Sequence, residues 1–206
     1  MRKMIITGVT SGIGKALVEK YDKKYLLKYK DLIEVEGHSR RHNKHDIENI
    51  KKWFNPEADV FINNAYNDLK WWAQAQALLI VFSIWGEDPT KHIISVSSIA
   101  QEKDTHDWNL SHSRYSAGKI ALDKINLECH EKAAHKNGCK VSNLRIGWVN
   151  TPRTTKISTM INRLYDQDIW QGRPPKMLEP EQCVDAIDFM LNHSGRVREI
   201  TLEATA

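Results

Sequence analysis

A tyrosine and a lysine stand four residues apart in the second half of the chain, at Tyr115 and Lys119. Residues at this spacing share one face of a helix, so a helix here would point the phenol and the amine into one pocket. A free tyrosine has a pKa of about 10, too high for efficient acid or base work at neutral pH, and a nearby cation lowers it. The pair is a candidate proton-transfer device, although the spacing alone is more often that of a surface pair.

A glycine-rich turn near the N-terminus separates an apolar run at residues 4–8 from a helical pattern that includes Ala16 and Leu17. Gly8, Gly12 and Gly14 lie in this turn, which has the pattern TGxxxGxG. Backbone amides at a helix N-terminus can face a pyrophosphate, and glycines let the anion approach the backbone. An ordinary tight turn is the alternative for the glycines taken alone.

Strand-like and helix-like patterns alternate along the chain. Strands are predicted at residues 4–8, 32–36, 59–64, 92–98, 140–149 and 198–203, and further helices at 46–54, 68–85, 115–137 and 180–192. Alternation of this kind predicts an α/β fold: a doubly wound Rossmann sheet of about six or seven parallel strands, in three α/β/α layers. Residues 1–206 are expected to form a single domain whose ligand crevice lies at the strand ends.

Some segments carry more specific expectations. The pattern over 68–85 is apolar on nearly every side, which predicts burial in a core or against a second subunit. The helix over 115–137 is expected to end with Gly138 as its C-terminal cap. Residues 101–113 look like a loop. Residues 151–175 give the least clear pattern, and the segment 151–178 is a candidate substrate lid.

Composition limits the classes of function. The net charge is +4 and the basic residues are dispersed, so a nucleic-acid partner is not expected. Three cysteines without CxxC spacing favour a reducing cytoplasm. The longest apolar stretch, residues 77–85, is shorter than the about 20 residues of a membrane-spanning helix, so no membrane partner is expected. His42 and His45 lack a cysteine or acidic cluster beside them, and no metal site is predicted.

The TGxxxGxG turn and the YSAGK sequence at residues 115–119 occur in the order and at the distance seen in the short-chain dehydrogenase/reductase (SDR) family, which this chain resembles from Met4 to about Leu202. The resemblance implies an oxidoreductase that transfers hydride between a nicotinamide and a small-molecule carbonyl or alcohol substrate. Tyr115 would then be the general acid/base. Lys119 would tune its acidity and hydrogen-bond the nicotinamide ribose.

The resemblance leaves two other functions open. One is a nucleotide-sugar epimerase or reductase of the extended branch, although little chain remains for a sugar-nucleotide domain. The other is a non-catalytic regulator that binds NADP(H). Family members commonly dimerise through two long central helices, so a homodimer or homotetramer is expected.

The family also carries a catalytic serine at the end of the preceding strand. It usually stands second in a serine pair, so we expect Ser98 to hold the substrate oxygen and Ser97 to be a structural neighbour. The family's relay asparagine on the long central helix has no obvious counterpart. Gln74 or Gln76 lies nearest by spacing, and either could hold a water.

The residues after the second strand bear on the choice of cofactor. No carboxylate is present there to bind the ribose of NAD, whereas Ser39, Arg40 and Arg41 follow directly. Two guanidinium groups suit a 2′-phosphate, so NADP(H) is favoured over NAD(H). If the strand ends earlier than expected, Glu36 is an alternative acidic residue; the arginines could also simply solvate a loop.

Other segments match the family's cofactor contacts. Asn64 and Ala65 belong to an NNA segment in which Tyr66 replaces the family's glycine; this bulky residue could narrow the approach to the ribose or pack over it. Asp46 and Ile47 resemble the pair beside the adenine, and the segment RIGWVNT supplies contacts to the nicotinamide. The full set of predicted cofactor-binding residues is Gly8, Thr10, Ser11, Gly12, Ile13, Gly14, Ser39, Arg40, Arg41, Asp46, Ile47, Asn64, Ala65, Tyr115, Lys119, Gly147, Val149 and Thr151.

Overall fold

Strands and helices alternate along the chain, as the sequence patterns predict. A computed structural model describes residues 2–21, 33–38, 46–67, 69–99, 110–167 and 176–204. Within these ranges the strands are β1 (Arg2–Thr7), β2 (Ile33–His38), β3 (Val60–Asn63), β4 (His92–Ser98), β5 (Lys140–Ile146) and β6 (Glu199–Leu202). The helices are α1 (Gly12–Tyr21), α2 (Ala73–Trp85), α3 (Leu110–His135), α4 (Pro152–Asp166) and α5 (Pro180–Asn192), with a 3₁₀ helix at Ile47–Lys52.

The strands form one parallel sheet in the order β2-β1-β3-β4-β5-β6. The order changes direction at β1, because the chain places β2 on one side of it and β3 on the other. In an open α/β sheet, the loops that leave such neighbouring strands diverge and open a crevice at their carboxyl ends. The predicted doubly wound Rossmann fold is therefore confirmed, and the crevice is expected next to Thr7 and Asn63.

Each face of the sheet is covered by helices. Successive residues of β1 point to opposite faces: Met4 and Ile6 pack in the core that includes α1 and α5, whereas Ile5 packs with α2 and α3. Trp85 is buried in the core between the sheet and helices α2 and α3, and its indole Nε1 donates a hydrogen bond to Pro56 O at 2.9 Å. The three layers follow from this two-sided burial. In the described part of the chain, no helix has the length and apolar character needed to cross a membrane.

Several boundaries differ from the sequence prediction. Helix α2 begins at Ala73 rather than at residue 68, because Asn67 forms a turn in which its side chain accepts from Leu69 N at 3.0 Å. Helix α3 begins earlier, at Leu110. The predicted helix over 46–54 is a 3₁₀ helix. Strand β5 is shorter than expected, and beyond it Val149 pairs with Leu178 instead.

Helix α4 occupies a segment whose residue pattern predicts no clear element. The signal at its start is Thr151 followed by Pro152. The threonine hydroxyl accepts from Thr154 N at 3.4 Å, as an N-cap does, and proline suits the first helical position. The lid function of residues 151–178 remains a prediction.

The end of α3 corrects the role expected for Gly138. Asn137 adopts the left-handed conformation, with φ of 52°, while Gly138 N donates to Ala133 O at 2.8 Å. A Cβ at Gly138 would lie 1.9 Å from Gly86 O. Asparagine thus provides the left-handed cap, and glycine is needed for close packing against the end of α2.

Candidate active site

The glycine turn between β1 and α1 is built around backbone geometry that side chains would disturb. Gly8 and Gly12 have φ of 74° and 54°, in the left-handed region. A Cβ at Gly14 would lie 2.2 Å from Gly8 O, so α1 can pack on the turn only with glycine there. The first amides of α1 follow directly, where a helix N-terminus favours an anion.

Strand β3 holds this turn in place through Thr7. Its Oγ1 donates to Ile62 O at 3.2 Å and accepts from the backbone N of both Asn64 and Ala65 at 2.9 Å. The Asn64 side chain donates to Thr7 O at 3.0 Å and Gly8 O at 3.4 Å. The NNA segment therefore lies directly against the glycine turn, although about fifty residues separate the two in the sequence.

A cleft of about 580 Å³ opens at this point of the sheet. Many predicted cofactor-binding residues line it: Gly8, Thr10, Ser11, Gly12, Ile13, Asp46, Ile47, Asn64, Ala65 and Thr151. Ser39, Arg40 and Arg41 lie outside the described residues, as do His42 and His45. Gly14, Tyr115, Lys119, Gly147 and Val149 are described but are not among the residues that line the cleft.

Two aromatic rings that sequence reasoning missed also line the cleft. His38, the last residue of β2, stacks on Trp53 with 4.2 Å between ring centroids and 21° between planes. Trp53 Nε1 donates to Asp46 O at 3.0 Å. This hydrogen bond links the stacked rings to Asp46, one of the two residues predicted to lie beside the adenine. Glu36 lies inside β2, and its Oε1 is 3.0 Å from His38 Nε2. Nothing in the local sequence indicated that residues from these two segments would stack.

The three predicted catalytic residues come from β4 and α3. Ser98 is the last residue of β4 and is buried. Tyr115 and Lys119 share α3, where the Lys119 Nζ lies 5.6 Å from the centroid of the Tyr115 ring. The predicted helix therefore brings the phenol ring and the amine to one place. The catalytic roles of all three residues remain predictions.

Lys119 is almost fully buried and hydrogen-bonded to neutral groups. Its Nζ donates to Gln74 Oε1 and to Val96 O, both at 2.8 Å. Burial lowers its pKa from 10.5 to about 7; Asp123 opposes this shift, and Arg153 adds to it. Of the two glutamines nearest the family's relay asparagine, Gln74 contacts Lys119, whereas Gln76 is exposed.

Tyr66 stands between the cleft and the predicted catalytic residues. Its ring meets the Tyr115 ring edge to face, at 5.0 Å and 76°. The Lys119 Nζ and the Arg153 guanidinium lie 5.7 Å and 5.6 Å from its centroid. Tyr66 and Arg153 also line the cleft. The departure from the family's glycine was visible in the sequence, but its contact with Tyr115 was not.

The segment after β5 reaches the cleft only in part. Gly147 N donates to Leu202 O at 2.8 Å, and Val149 is buried, with its carbonyl accepting from the Thr154 hydroxyl. Thr151 does line the cleft; its Cγ2 would lie 2.8 Å from a Cβ at Gly12. The glycine turn and the start of α4 are therefore in close contact.

Comparisons with known proteins agree on the fold. No protein-family model and no curated sequence matches the chain. A 3α-hydroxysteroid dehydrogenase from a Pseudomonas species, solved with NADH, has a TM-score of 0.71 at 17% identity, covering 97% of this chain and 95% of its own. An oxidoreductase of the short-chain dehydrogenase/reductase family from Burkholderia thailandensis has a TM-score of 0.68 at 16% identity, covering 98% and 91%.

A third similar structure is a putative gluconate 5-dehydrogenase from Beutenbergia cavernae, solved with NADP, with a TM-score of 0.64 at 16% identity and coverage of 98% and 95%. The similarity to all three extends over nearly the whole of each chain. At these identities it establishes the fold: a Rossmann sheet of the kind found in dinucleotide-dependent dehydrogenases.

Proposed function

We propose that this chain is an NADP(H)-dependent oxidoreductase of the SDR type that interconverts a carbonyl and an alcohol on a small molecule. One observation carries the proposal. The glycine turn and Tyr66 line the same cleft, the ring of Tyr66 touches that of Tyr115, and Lys119 lies on the same helix as Tyr115. The TGxxxGxG and YxxxK motifs, and the similarity in fold to dehydrogenases solved with NADH or NADP, support this reading.

The residues of the cleft fit a dinucleotide. The turn requires glycine at Gly8, Gly12 and Gly14, and α1 begins where a pyrophosphate would be bound. The His38 and Trp53 rings provide an aromatic surface suited to an adenine. When bound, the nicotinamide would supply or accept the hydride.

The chain's own groups would handle the proton and the orientation of the substrate. Tyr115 would exchange a proton with the substrate oxygen, and Ser98 would hold that oxygen by a hydrogen bond. Lys119 would bias the tyrosine toward its ionised form whenever the amine carries its charge. Because burial lowers the pKa of Lys119 to about 7, the amine gains or loses its charge near neutral pH.

The preference for NADP(H) rests on Arg40 and Arg41 in the sequence after β2. Fluorescence titration with NADPH and with NADH tests it. We expect tighter binding of NADPH, and a double substitution of the two arginines by alanine should remove most of the difference. Equal affinity for the two cofactors would contradict the role of the arginines and leave the redox assignment open.

Turnover is tested with Tyr115→Phe. A screen of carbonyl compounds with the preferred cofactor should give activity for the native chain. The variant should lose turnover by at least about 100-fold, because general acid–base catalysis contributes roughly that much, while it still binds NADPH. Full activity in the variant would refute the proposed mechanism.

A second function is favoured by one observation. Tyr66 lies between the cleft and Tyr115, so a dinucleotide could bind without its reactive ring reaching the tyrosine. In that case the chain would be a regulator that senses NADP(H). A native chain that binds NADPH but turns over no carbonyl compound, and whose properties Tyr115→Phe leaves unchanged, would support the regulator.

We further propose a homodimer or homotetramer formed through α2 and α3. These helices pack on each other yet leave large apolar side chains 42% to 49% exposed, and these are Leu79, Ile84, Ile120 and Leu127. Light scattering of the native chain should give the mass of a dimer or tetramer, and the double variant Leu79→Glu, Ile84→Glu should yield monomers.

A cytoplasmic location is consistent with the free cysteines Cys129, Cys139 and Cys183.

A further inference from the structure

The side chain of Gln74 uses both of its amide hydrogens and its oxygen in hydrogen bonds next to Lys119. Its Nε2 donates to Asn63 O at 2.6 Å and to Val96 O at 2.9 Å, while its Oε1 accepts from Lys119 Nζ at 2.8 Å. Asn63 Nδ2 donates in return to Gln74 O at 2.9 Å. Because both partners of the nitrogen are carbonyl oxygens, the amide can have only this orientation.

This cluster joins four elements at a buried point. Gln74 comes from α2, Asn63 and Val96 from β3 and β4, and Lys119 from α3, and Gln74, Asn63 and Lys119 are at most 4% exposed. A glutamine reaches the amine directly. The contact between Gln74 and Lys119 is therefore direct, without the water that the family resemblance suggested a glutamine could hold here.

Among the described residues, the charged and titratable groups near Lys119 come from α3, α4 and the loop after β3. Asp123 lies one helical turn farther along α3 and favours the ammonium, whereas Arg153 at the start of α4 disfavours it. The rings of Tyr115 and Tyr66 lie 5.6 Å and 5.7 Å from Nζ. Both acceptors that hold the amine directly, Gln74 Oε1 and Val96 O, are neutral.

We propose that Gln74 is a positioning residue for Lys119: its oxygen holds the amine between α2 and β4, and its fully used amide closes the proton path toward α2. An amide whose two hydrogens are donated to carbonyl oxygens has no site to take up a proton and pass it on. Protons exchanged by Tyr115 and Lys119 then have no route through the side chain of Gln74. This inference rests on the proposed oxidoreductase function.

The first test needs no cofactor and no turnover. Free energies of unfolding are measured by urea titration between pH 6 and about pH 10 for the native chain, Gln74→Glu, Gln74→Leu and the control Gln76→Glu. A carboxylate in direct contact should raise the pKa of Lys119 by about one unit or more. Because burial lowers the pKa of Lys119 from 10.5 to about 7, the stability of the native chain rises with pH between these two values. In Gln74→Glu this rise should begin about one pH unit higher.

The leucine variant should act in the opposite direction. Loss of the acceptor disfavours the ammonium, so the rise should begin at lower pH than in the native chain. In a Lys119→Met background, Gln74→Leu should leave the pH dependence unchanged, because the responding amine is gone. Gln76→Glu, on an exposed position of the same helix, should behave as the native chain. If Gln74→Leu does not fold, Gln74→Glu decides.

The second readout is the pH profile of kcat/KM, measured once a carbonyl substrate has been found. Its alkaline limb, on which Lys119 loses the charge that tunes Tyr115, should move in the same direction as the stability profile in each variant. Profiles of stability that are identical in Gln74→Glu and the native chain would overturn the positioning role. Absence of any turnover in the native chain would instead count against the proposed function. The stability profiles would still test whether Gln74 positions Lys119.

Discussion

Replacing Lys119 by methionine should make the protein more stable at neutral pH while abolishing turnover. The substitution removes a buried amine and keeps most of the volume of its carbon chain. Val96 O retains a donor, because Gln74 Nε2 also bonds to it at 2.9 Å. Gln74 Oε1 loses its donor from Lys119 Nζ.

The magnitude follows from the pKa of the amine. Burial lowers it from 10.5 to about 7, and each pKa unit is worth about 1.4 kcal/mol. At pH 7 the unfolded chain holds this proton more firmly, which costs the folded state about 4 kcal/mol; at about pH 9.5 the cost is about 1.4 kcal/mol. The penalty is full below pH 7, declines as pH rises toward 10.5 and is absent above it.

Removing the amine removes this penalty, but it also leaves the Gln74 oxygen without its donor. The unsatisfied oxygen costs the variant roughly 1–3 kcal/mol of stability at every pH. Lys119→Met should therefore be about 1–3 kcal/mol more stable than the native chain at pH 7, and equal or less stable near pH 9.5. The difference between the two proteins should change by about 3 kcal/mol across this interval, in favour of the native chain at high pH.

Urea unfolding followed by tryptophan fluorescence measures these differences, with Lys124→Met, at an exposed position of α3, as the matched control. The control should show a small difference that does not vary with pH. A native-minus-Lys119→Met difference that is equally constant between pH 7 and pH 9.5 would refute the reasoning. It would mean that the amine is solvated in the folded chain rather than held against Gln74 and Val96.

Three further outcomes are expected. Gly14→Ala should lose stability and NADPH affinity, because the clash of a Cβ 2.2 Å from Gly8 O costs more than the about 1 kcal/mol of helix propensity gained. Urea unfolding measures the loss of stability. Gly147→Ala is the control, because its Cβ would meet nothing nearer than 3.5 Å. Burial lowers the pKa of His92 to about 3, so the native chain should lose stability as pH falls from 6.5 through about 3, and His92→Gln should lose less of it in the same titration. Tyr66→Gly should accelerate NADPH association several-fold in stopped-flow fluorescence, and an unchanged rate would show that the ring does not narrow the cleft.

Much of the fold was predictable because its signals are local. A short apolar run indicated β1, alternation of apolar with polar or charged residues indicated β2 and β6, and the spacing of Gly8, Gly12 and Gly14 indicated the turn before α1. Left-handed glycines and helix faces depend on residues a few positions apart, so a short window contains the information. Helix α4 was missed although the Thr-Pro pair at residues 151 and 152 is a local start signal.

The sequence alone determined that a phenol and an amine would share one face of a helix, and that a glycine turn would precede another. Only the tertiary structure decided which neighbours complete the site: Gln74 rather than Gln76 against Lys119, Tyr66 against Tyr115, and His38 on Trp53. These contacts depend on the strand order and on where α2 begins relative to β4. Such quantities are set by packing between distant segments, which no local pattern of residues records.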